Sequence, residues 1–119
     1  MKWENGDILR GREGSNAKHP IVFLHGHNDS FFIGGMITHA ETERYPDNIL
    51  MKSTFFIFDN PADNEEDIFL VKAKLLKRIE WQPFRKIGHL TEEGLLFVES
   101  NISDKNHLLW EEYRKMSGR

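Results

Sequence analysis

Turn-forming residues interrupt the chain at short intervals up to about residue 90, and this spacing restricts it to short strands. Apolar runs rich in aromatic and β-branched residues lie between clusters of Gly, Pro, Asn and Asp; the run 21–24, for example, is followed by the polar stretch 27–30. Runs of this kind, with turn residues roughly every eight to twelve positions, are typical of an antiparallel sheet. No helical period separates them, so the pattern predicts a mainly β (α+β) fold rather than an α/β fold.

The apolar runs define the predicted strands and the turns between them. The sequence His27-Asn28-Asp29-Ser30 predicts a hairpin, and Gly34-Gly35 predicts a bulge or sharp bend within the following strand. Loops are expected at 41–47 and 59–67, each of which contains a proline. The strands are expected near 6–10, 20–26, 31–38, 48–58 (interrupted around Ser53), 68–72 and 74–81.

The hydrophobic pattern changes to a helical period at about residue 91. Thr91 is a suitable N-cap, and the two glutamates that follow it favour the positive end of a helix. Gly94 weakens this helix by about 1 kcal/mol relative to Ala. Ser103-Asp104 is expected to cap a second helix. The apolar positions at helical spacing are Leu95, Val98 and Ile102 in the first helix and Leu109, Tyr113 and Met116 in the second.

Length and composition indicate one soluble domain, residues 1–119, with a helical tail from about 91. The chain has no cysteine, which excludes a disulfide framework and a thiolate zinc site. No window approaches 18 apolar residues and the N-terminus has no apolar signal region, so we expect a cytoplasmic protein that does not contact a membrane.

Charge is unevenly distributed along the chain. The net charge of -3 argues against a protein that coats nucleic acid indiscriminately. The stretch 59–67 is acidic, whereas 72–86 is predominantly basic. Two solvated surface segments would explain this pattern. A local phosphate site beside an acidic loop is also compatible with it.

The motif His25-Gly26-His27-Asn28-Asp29 is similar to the H-x-H-x-D metal motif of metallo-β-lactamase-type hydrolases. Two imidazoles at positions i and i+2 of a strand project from one face and can share a metal with a nearby carboxylate. Ser30 stands where that family has another histidine, and 119 residues are too few for its four-layered fold. We therefore expect no metal and no other cofactor. A small His/Asp metal-binding protein remains an alternative.

Gly6-Asp7-Ile8-Leu9 is followed by a polar loop, Lys18-His19-Pro20, an apolar strand and a third strand that closes on Thr38. This order of motifs, along residues 5 to 102, resembles the MazF/PemK family of plasmid-maintenance toxins. Ile79-Glu80-Trp81 matches a strand end of that family, and Gly88 matches its turn into the final helix. The chain departs from the family before Pro20, where a histidine replaces the arginine.

The resemblance implies an SH3-like β-barrel with a C-terminal helix and the activity of a toxin–antitoxin endoribonuclease (mRNA interferase). Such a hydrolase would cleave single-stranded RNA without a metal. It would act as a homodimer and have a cognate antitoxin protein as its partner. The candidate residues are His19, Thr38, Lys18 and His39 for catalysis and Arg10, Arg12, Lys74 and Arg78 for substrate binding.

The chemistry of metal-free RNA cleavage explains these residue types. Attack of a 2′-OH on the adjacent phosphorus requires a base, an acid and positive charge near the phosphorane. A histidine exchanges protons near neutral pH, so His19 suits either transfer and His39 is a second candidate. The altered position before Pro20 also fits a catalytically silent binding module on the same barrel. The aromatic residues Phe55, Phe56, Phe58 and Trp81 suit base stacking, although core packing is the better expectation.

Overall fold

Strands occupy most of the described chain up to Leu90, as the turn spacing predicts. The computed structural model describes residues 3–11, 19–39, 45–78 and 84–117. Within these ranges, no helix is long and apolar enough to span a membrane. The strands are β1 (Asp7–Arg10), β2 (Ile21–Gly26), β3 (Phe31–Thr38), β4 (Ile49–Met51), β5 (Phe56–Phe58), β6 (Ile68–Arg78) and β7 (Arg85–Leu90), and the helices are α1 (Glu92–Ile102) and α2 (Trp110–Ser117).

The strands form one antiparallel sheet in the order β4-β6-β3-β2-β1-β7-β5, which confirms the mainly β class with helices at the C-terminal end. The edge strands β4 and β5 are consecutive in the chain. A flat sheet of seven strands would separate its edges by about 29 Å. The five Cα–Cα steps from Met51 to Phe56 span at most about 18 Å. The sheet is therefore strongly curved.

The predicted hairpin and bulge are both present. The turn at 27–30 joins β2 to β3, and the Asn28 side-chain oxygen accepts hydrogen bonds from the backbone N–H groups of Ser30 (2.8 Å) and Phe31 (3.0 Å). The β3–β6 register shifts between Gly35 and Ile37. A 3₁₀ turn at Ser53–Phe55 separates β4 from β5, which confirms the predicted interruption.

Two strand predictions were wrong. The segments 68–72 and 74–81 were expected to be separate, but β6 is continuous from Ile68 to Arg78, because the small Ala73 is buried and continues the alternation. Residues 79–81 lie outside the described residues. Gly88 was expected in a turn, yet it lies within β7. A Cβ at Gly88 would overlap the backbone carbonyl of Ile57, so the glycine permits the close approach of β5.

The first helix begins where predicted and the second does not. Thr91 Oγ1 accepts a hydrogen bond from the backbone N–H of Gly94 at 3.2 Å, which satisfies one free donor of α1. Ser103 donates its backbone N–H to Glu99 and ends α1 instead of capping a new helix. The second helix begins at Trp110, and Glu112 accepts from the backbone N–H of Leu109 at 3.0 Å. On its predicted apolar face, Tyr113 is buried but Met116 is exposed.

Apolar side chains pack on both faces of the sheet, which explains the continuous apolar run of β2. One cluster lies under α1 and includes Val98 and Ile102. The other is covered by α2 and contains Trp3 and Phe84. From the strands, the first cluster takes Ile8, Val22, Leu24, Ile37, Met51, Phe56, Ile68, Leu70, Ile87 and Leu90, and the second takes Leu9, Ile21, Phe23, Phe32, Met36, Val71, Ala73 and Leu75.

Candidate active site

A small cavity of about 50 Å³ brings together four of the candidate residues from the sequence. Its volume accommodates a few water molecules, so a nucleotide would lie across the opening rather than inside it. It is lined by Arg10, His19, Pro20, Ile37, Thr38, His39, Phe58, Asp63 and Ile68.

The strand order explains why these residues meet. β1 ends at Arg10 and runs antiparallel to β2. The residues that precede β2 therefore lie at the same end of the strands as Arg10. β3 is antiparallel to β2 and ends at Thr38 beside them. The backbone N–H of Ile37 donates to the carbonyl of Pro20 at 3.0 Å, which fixes the end of β3 against the start of β2.

His39 has a defined tautomer when its ring is neutral. Its Nδ1 lies 2.9 Å from the backbone carbonyl oxygen of Asp67 and 3.7 Å from a carboxylate oxygen of Glu66. A carbonyl only accepts hydrogen bonds, so Nδ1 carries the proton. Nε2 is then the ring nitrogen that can accept a proton, as a general base requires.

Positive charge at the cavity comes from Arg10. Its Nη2 lies 3.6 Å from Asp63 Oδ1. This distance is short enough for an ion pair but too long for a hydrogen bond. Arg85 is the β7 residue directly opposite Arg10 in the β1–β7 register, and it is exposed. Side chains of directly opposed residues share one face of a sheet. The side chain of Arg85 therefore lies on the same face of the sheet as that of Arg10, although Arg85 does not line the cavity.

The hydroxyl of Thr38 and the ring of His19 lie in different environments. Thr38 is 4% exposed and faces Phe69 across the β3–β6 pair. His19 is exposed at the start of β2. A buried hydroxyl is held in one orientation by its surroundings, whereas an exposed imidazole can exchange protons with solvent. Thr38 is therefore suited to act as a fixed hydrogen-bond donor, and His19 is suited to transfer a proton.

The remaining candidate residues do not join this cavity. Lys74 Nζ donates to the backbone oxygen of Ser103 at 2.7 Å. The Arg78 guanidinium lies over the ring of Phe31, 5.1 Å from its centroid. Phe31 and Thr38 are at opposite ends of β3, about 23 Å apart at the rise of a strand. Lys18 and Arg12 lie outside the described residues, as does the Ile79-Glu80-Trp81 segment.

The aromatic candidates divide between the core and the cavity. Phe55 and Phe56 are buried, in agreement with core packing. Phe58 is half-buried, lines the cavity and stacks on Phe56 with ring centroids 5.3 Å apart. Trp81 lies outside the described residues. Among the described members of the set, Phe58 is thus the one placed to stack on a base at the opening.

Sequence reasoning missed Asp63 at the cavity and Arg85 on the neighbouring strand β7. Asp63 belongs to the acidic stretch 59–67, and its charge was noted, but nothing in the sequence places it against Arg10. Arg85 faces Arg10 only through the pairing of β1 with β7. Recognition of 85–90 as a strand was required for this, but its two buried large apolar residues, Ile87 and Leu90, are three positions apart and do not show the alternation typical of a strand.

The histidine motif of the β2–β3 hairpin does not assemble as a three-residue site. His25 Nδ1 donates to the carbonyl of Gly26 at 3.0 Å, and the ring of His27 packs against that of His107. Across the described part of the chain, no group of three or more His, Cys, Asp or Glu residues is arranged to hold a metal ion. His25, His27 and Asp29 therefore do not meet around one point.

Comparison with known proteins found no matching family model and no matching curated protein. A mainly β fold of this size is compatible with many activities. Function is therefore argued from the residues that meet at the cavity.

Proposed function

We propose that this protein is a metal-independent endoribonuclease that cleaves single-stranded RNA. The observation that carries the proposal is the meeting of Arg10, His19, Thr38 and His39 at one cavity from the ends of β1 and β3 and the start of β2. This set supplies two imidazoles, a hydroxyl and a guanidinium, the groups that cleavage without a metal requires.

The reaction is an internal displacement at phosphorus. His39 Nε2 removes the proton from a ribose 2′-OH, and the 2′-oxygen bonds to the adjacent phosphorus. The bond from phosphorus to the 5′-oxygen breaks, and His19 gives that oxygen a proton. The products are a 2′,3′-cyclic phosphate and a free 5′-OH, so all atoms and charges balance. Arg10 and Thr38 stabilise the extra negative charge of the phosphorane.

The SH3-like barrel is the finer architecture that we propose for this sheet. The short link between the edge strands supports it, because a flat sheet cannot be connected in that way. Met51 of β4 and Phe56 of β5 also belong to the same apolar cluster, although they are on opposite edges. A sheet whose two edges share a core has the curvature that a small barrel needs.

We extend the proposal to a cytoplasmic toxin that acts as a homodimer and is held inactive by a cognate antitoxin. The motif order from Gly6 to Thr38 supports this extension. A search of the adjacent reading frame tests it, since a short partner gene is expected there. The catalytic proposal is independent of that result.

A catalytically silent binding module is the second candidate, and one observation favours it. The groups proposed for charge stabilisation and for proton removal already have acidic neighbours: Arg10 lies near Asp63, and His39 lies near Glu66. A surface whose groups are engaged in this way can bind a partner without performing chemistry.

Cleavage of a fluorogenic single-stranded RNA by purified protein tests the proposal. His19→Ala and His39→Ala should each lower the rate by about 10² or more, the size of a general acid–base contribution. His25→Ala, an exposed histidine on the β2–β3 hairpin, is the matched control and should leave the rate unchanged. A 2′-deoxy substrate should resist cleavage, and a chelator should have no effect. Wild-type protein that binds the RNA but does not cut it would instead support the binding module.

A further inference from the structure

His27 and His107 form an exposed imidazole pair away from the candidate active site. Their ring centroids are 5.0 Å apart with an interplanar angle of 62°. Both side chains are exposed to solvent. Within the described ranges, neither imidazole has a hydrogen-bond or ion-pair partner. Their nitrogen lone pairs are therefore accessible.

We propose that His27 and His107 together bind a divalent transition-metal ion such as Zn²⁺. Imidazole nitrogens bind zinc at about 2.0–2.1 Å, which places the ion about 3.2 Å from each ring centroid. Two such rings on one tetrahedral ion have centroids about 5.2 Å apart. The observed separation agrees with this value. Water molecules would complete the coordination shell, which makes the ion exchangeable.

The backbone holds both histidines in place before any ion binds. His27 donates its backbone N–H to the carbonyl of Phe31 at 3.1 Å, within the hairpin turn. The residue after His107, Leu108, donates to Lys74 at 2.9 Å and accepts from Leu76 at 2.8 Å. Little ordering is therefore required when the ion binds, which favours affinity.

The position of the pair gives the ion a structural effect. His27 belongs to the β2–β3 turn, and His107 belongs to the segment that joins α1 to α2. An ion bound by both would fasten the hairpin to the C-terminal segment. Because it binds the folded state, it would raise the melting temperature with increasing metal concentration. The site lies at the opposite end of β3 from Thr38, so it takes no part in the proposed RNA cleavage.

Isothermal titration of the full chain with ZnCl₂ in a non-chelating buffer tests the site. We expect one ion per chain, with binding weakened at least about tenfold in His27→Gln and in His107→Gln. His25→Gln, which changes the neighbouring exposed histidine, should bind as wild type does. Zinc should raise the melting temperature of wild type and of His25→Gln only.

A second measurement does not depend on substitutions. Cu²⁺ added to wild-type protein should give an electron paramagnetic resonance spectrum with two nitrogen ligands, and the histidine resonances that broaden in NMR should be those of His27 and His107. The proposal is overturned if a variant carrying both His27→Gln and His107→Gln retains the zinc affinity of wild type, if His19→Gln abolishes zinc binding instead, or if no zinc binds and the rings are only in contact.

Discussion

Arg10 is held at the candidate active site by Asp63, with 3.6 Å between Nη2 and Oδ1. Both side chains are partly exposed, at 34% and 22%. An ion pair of this kind contributes only about 0.2–1 kcal/mol. A phosphodiester, which can form two parallel hydrogen bonds with a guanidinium, would therefore displace the carboxylate. Asp63 thus competes with the proposed substrate for the same cation.

Asp63→Asn should strengthen the binding of single-stranded RNA. Removal of the competing charge corresponds to an affinity increase of about two- to fivefold at low ionic strength. The gain should decline as salt screens the charges. Fluorescence anisotropy with labelled RNA measures both effects. Asp59→Asn, in the same acidic stretch, is the control; equal gains in the two variants would show a general charge effect and contradict a specific role for Asp63.

Arg85→Gln should weaken RNA binding, since Arg85 is directly opposite Arg10 in the β1–β7 pair. The slope of log affinity against log salt should fall by about 1 if one phosphate contact is lost. Lys72→Gln removes one positive charge from an exposed position on β6 and should leave that slope unchanged. An unchanged salt slope in Arg85→Gln would place the RNA elsewhere on the surface.

Local signals in the sequence were sufficient for the features that depend on neighbouring residues. The Asn28 turn and the Thr91 cap use side-chain hydrogen bonds that reach only three residues along the chain, so the residue types determine them. His19 and Thr38 could also be expected near each other, because β1, β2 and β3 follow one another in the chain as antiparallel strands.

Features that depend on distant pairing could not be obtained in this way. β7 is stabilised by β1 and β5 on either side, and its own sequence, with Gly88 in its interior, resembles a turn. Unless 85–90 is recognised as a strand, the sequence does not indicate that Arg85 lies near Arg10. The start of α2 depends on Leu108, whose backbone is held against β6 by hydrogen bonds with Lys74 and Leu76. Ser103-Asp104 is a suitable capping sequence, but these residues follow directly from α1.

Gly94→Ala should destabilise the protein, although helix propensity predicts the opposite. In an exposed helix the change would gain about 1 kcal/mol. Here a Cβ would lie 2.7 Å from the backbone oxygen of Phe55 and 2.8 Å from its Cβ. Overpacking of this kind costs about 1–3 kcal/mol. Urea denaturation should show the loss, whereas Leu96→Ala, at an exposed position of the same helix, should have little effect. A gain in stability would mean that Phe55 can move away from α1.

Lys77 should make the stability of the protein depend on alkaline pH. Its side chain is 6% exposed and lies opposite Phe32 in the β3–β6 pair. Burial disfavours the charged amine and lowers the pKa of Lys77 from its ordinary value of 10.5. Between the lowered value and 10.5, the unfolded chain binds more protons at this position than the folded chain. The free energy of unfolding therefore rises with pH across that window.

Comparison with Lys77→Met isolates this effect from other titrating groups. Methionine retains the length of the side chain without the charge. The stability of wild type relative to Lys77→Met should rise as pH increases towards 10.5 and stay constant below the lowered pKa of Lys77. Urea denaturation at intervals from neutral to alkaline pH measures the difference. Lys72→Met, at an exposed position of the same strand, should show no such trend. A wild-type-to-Lys77→Met difference that is flat across the whole range would mean that the folded protein keeps this amine as well solvated as the unfolded chain does.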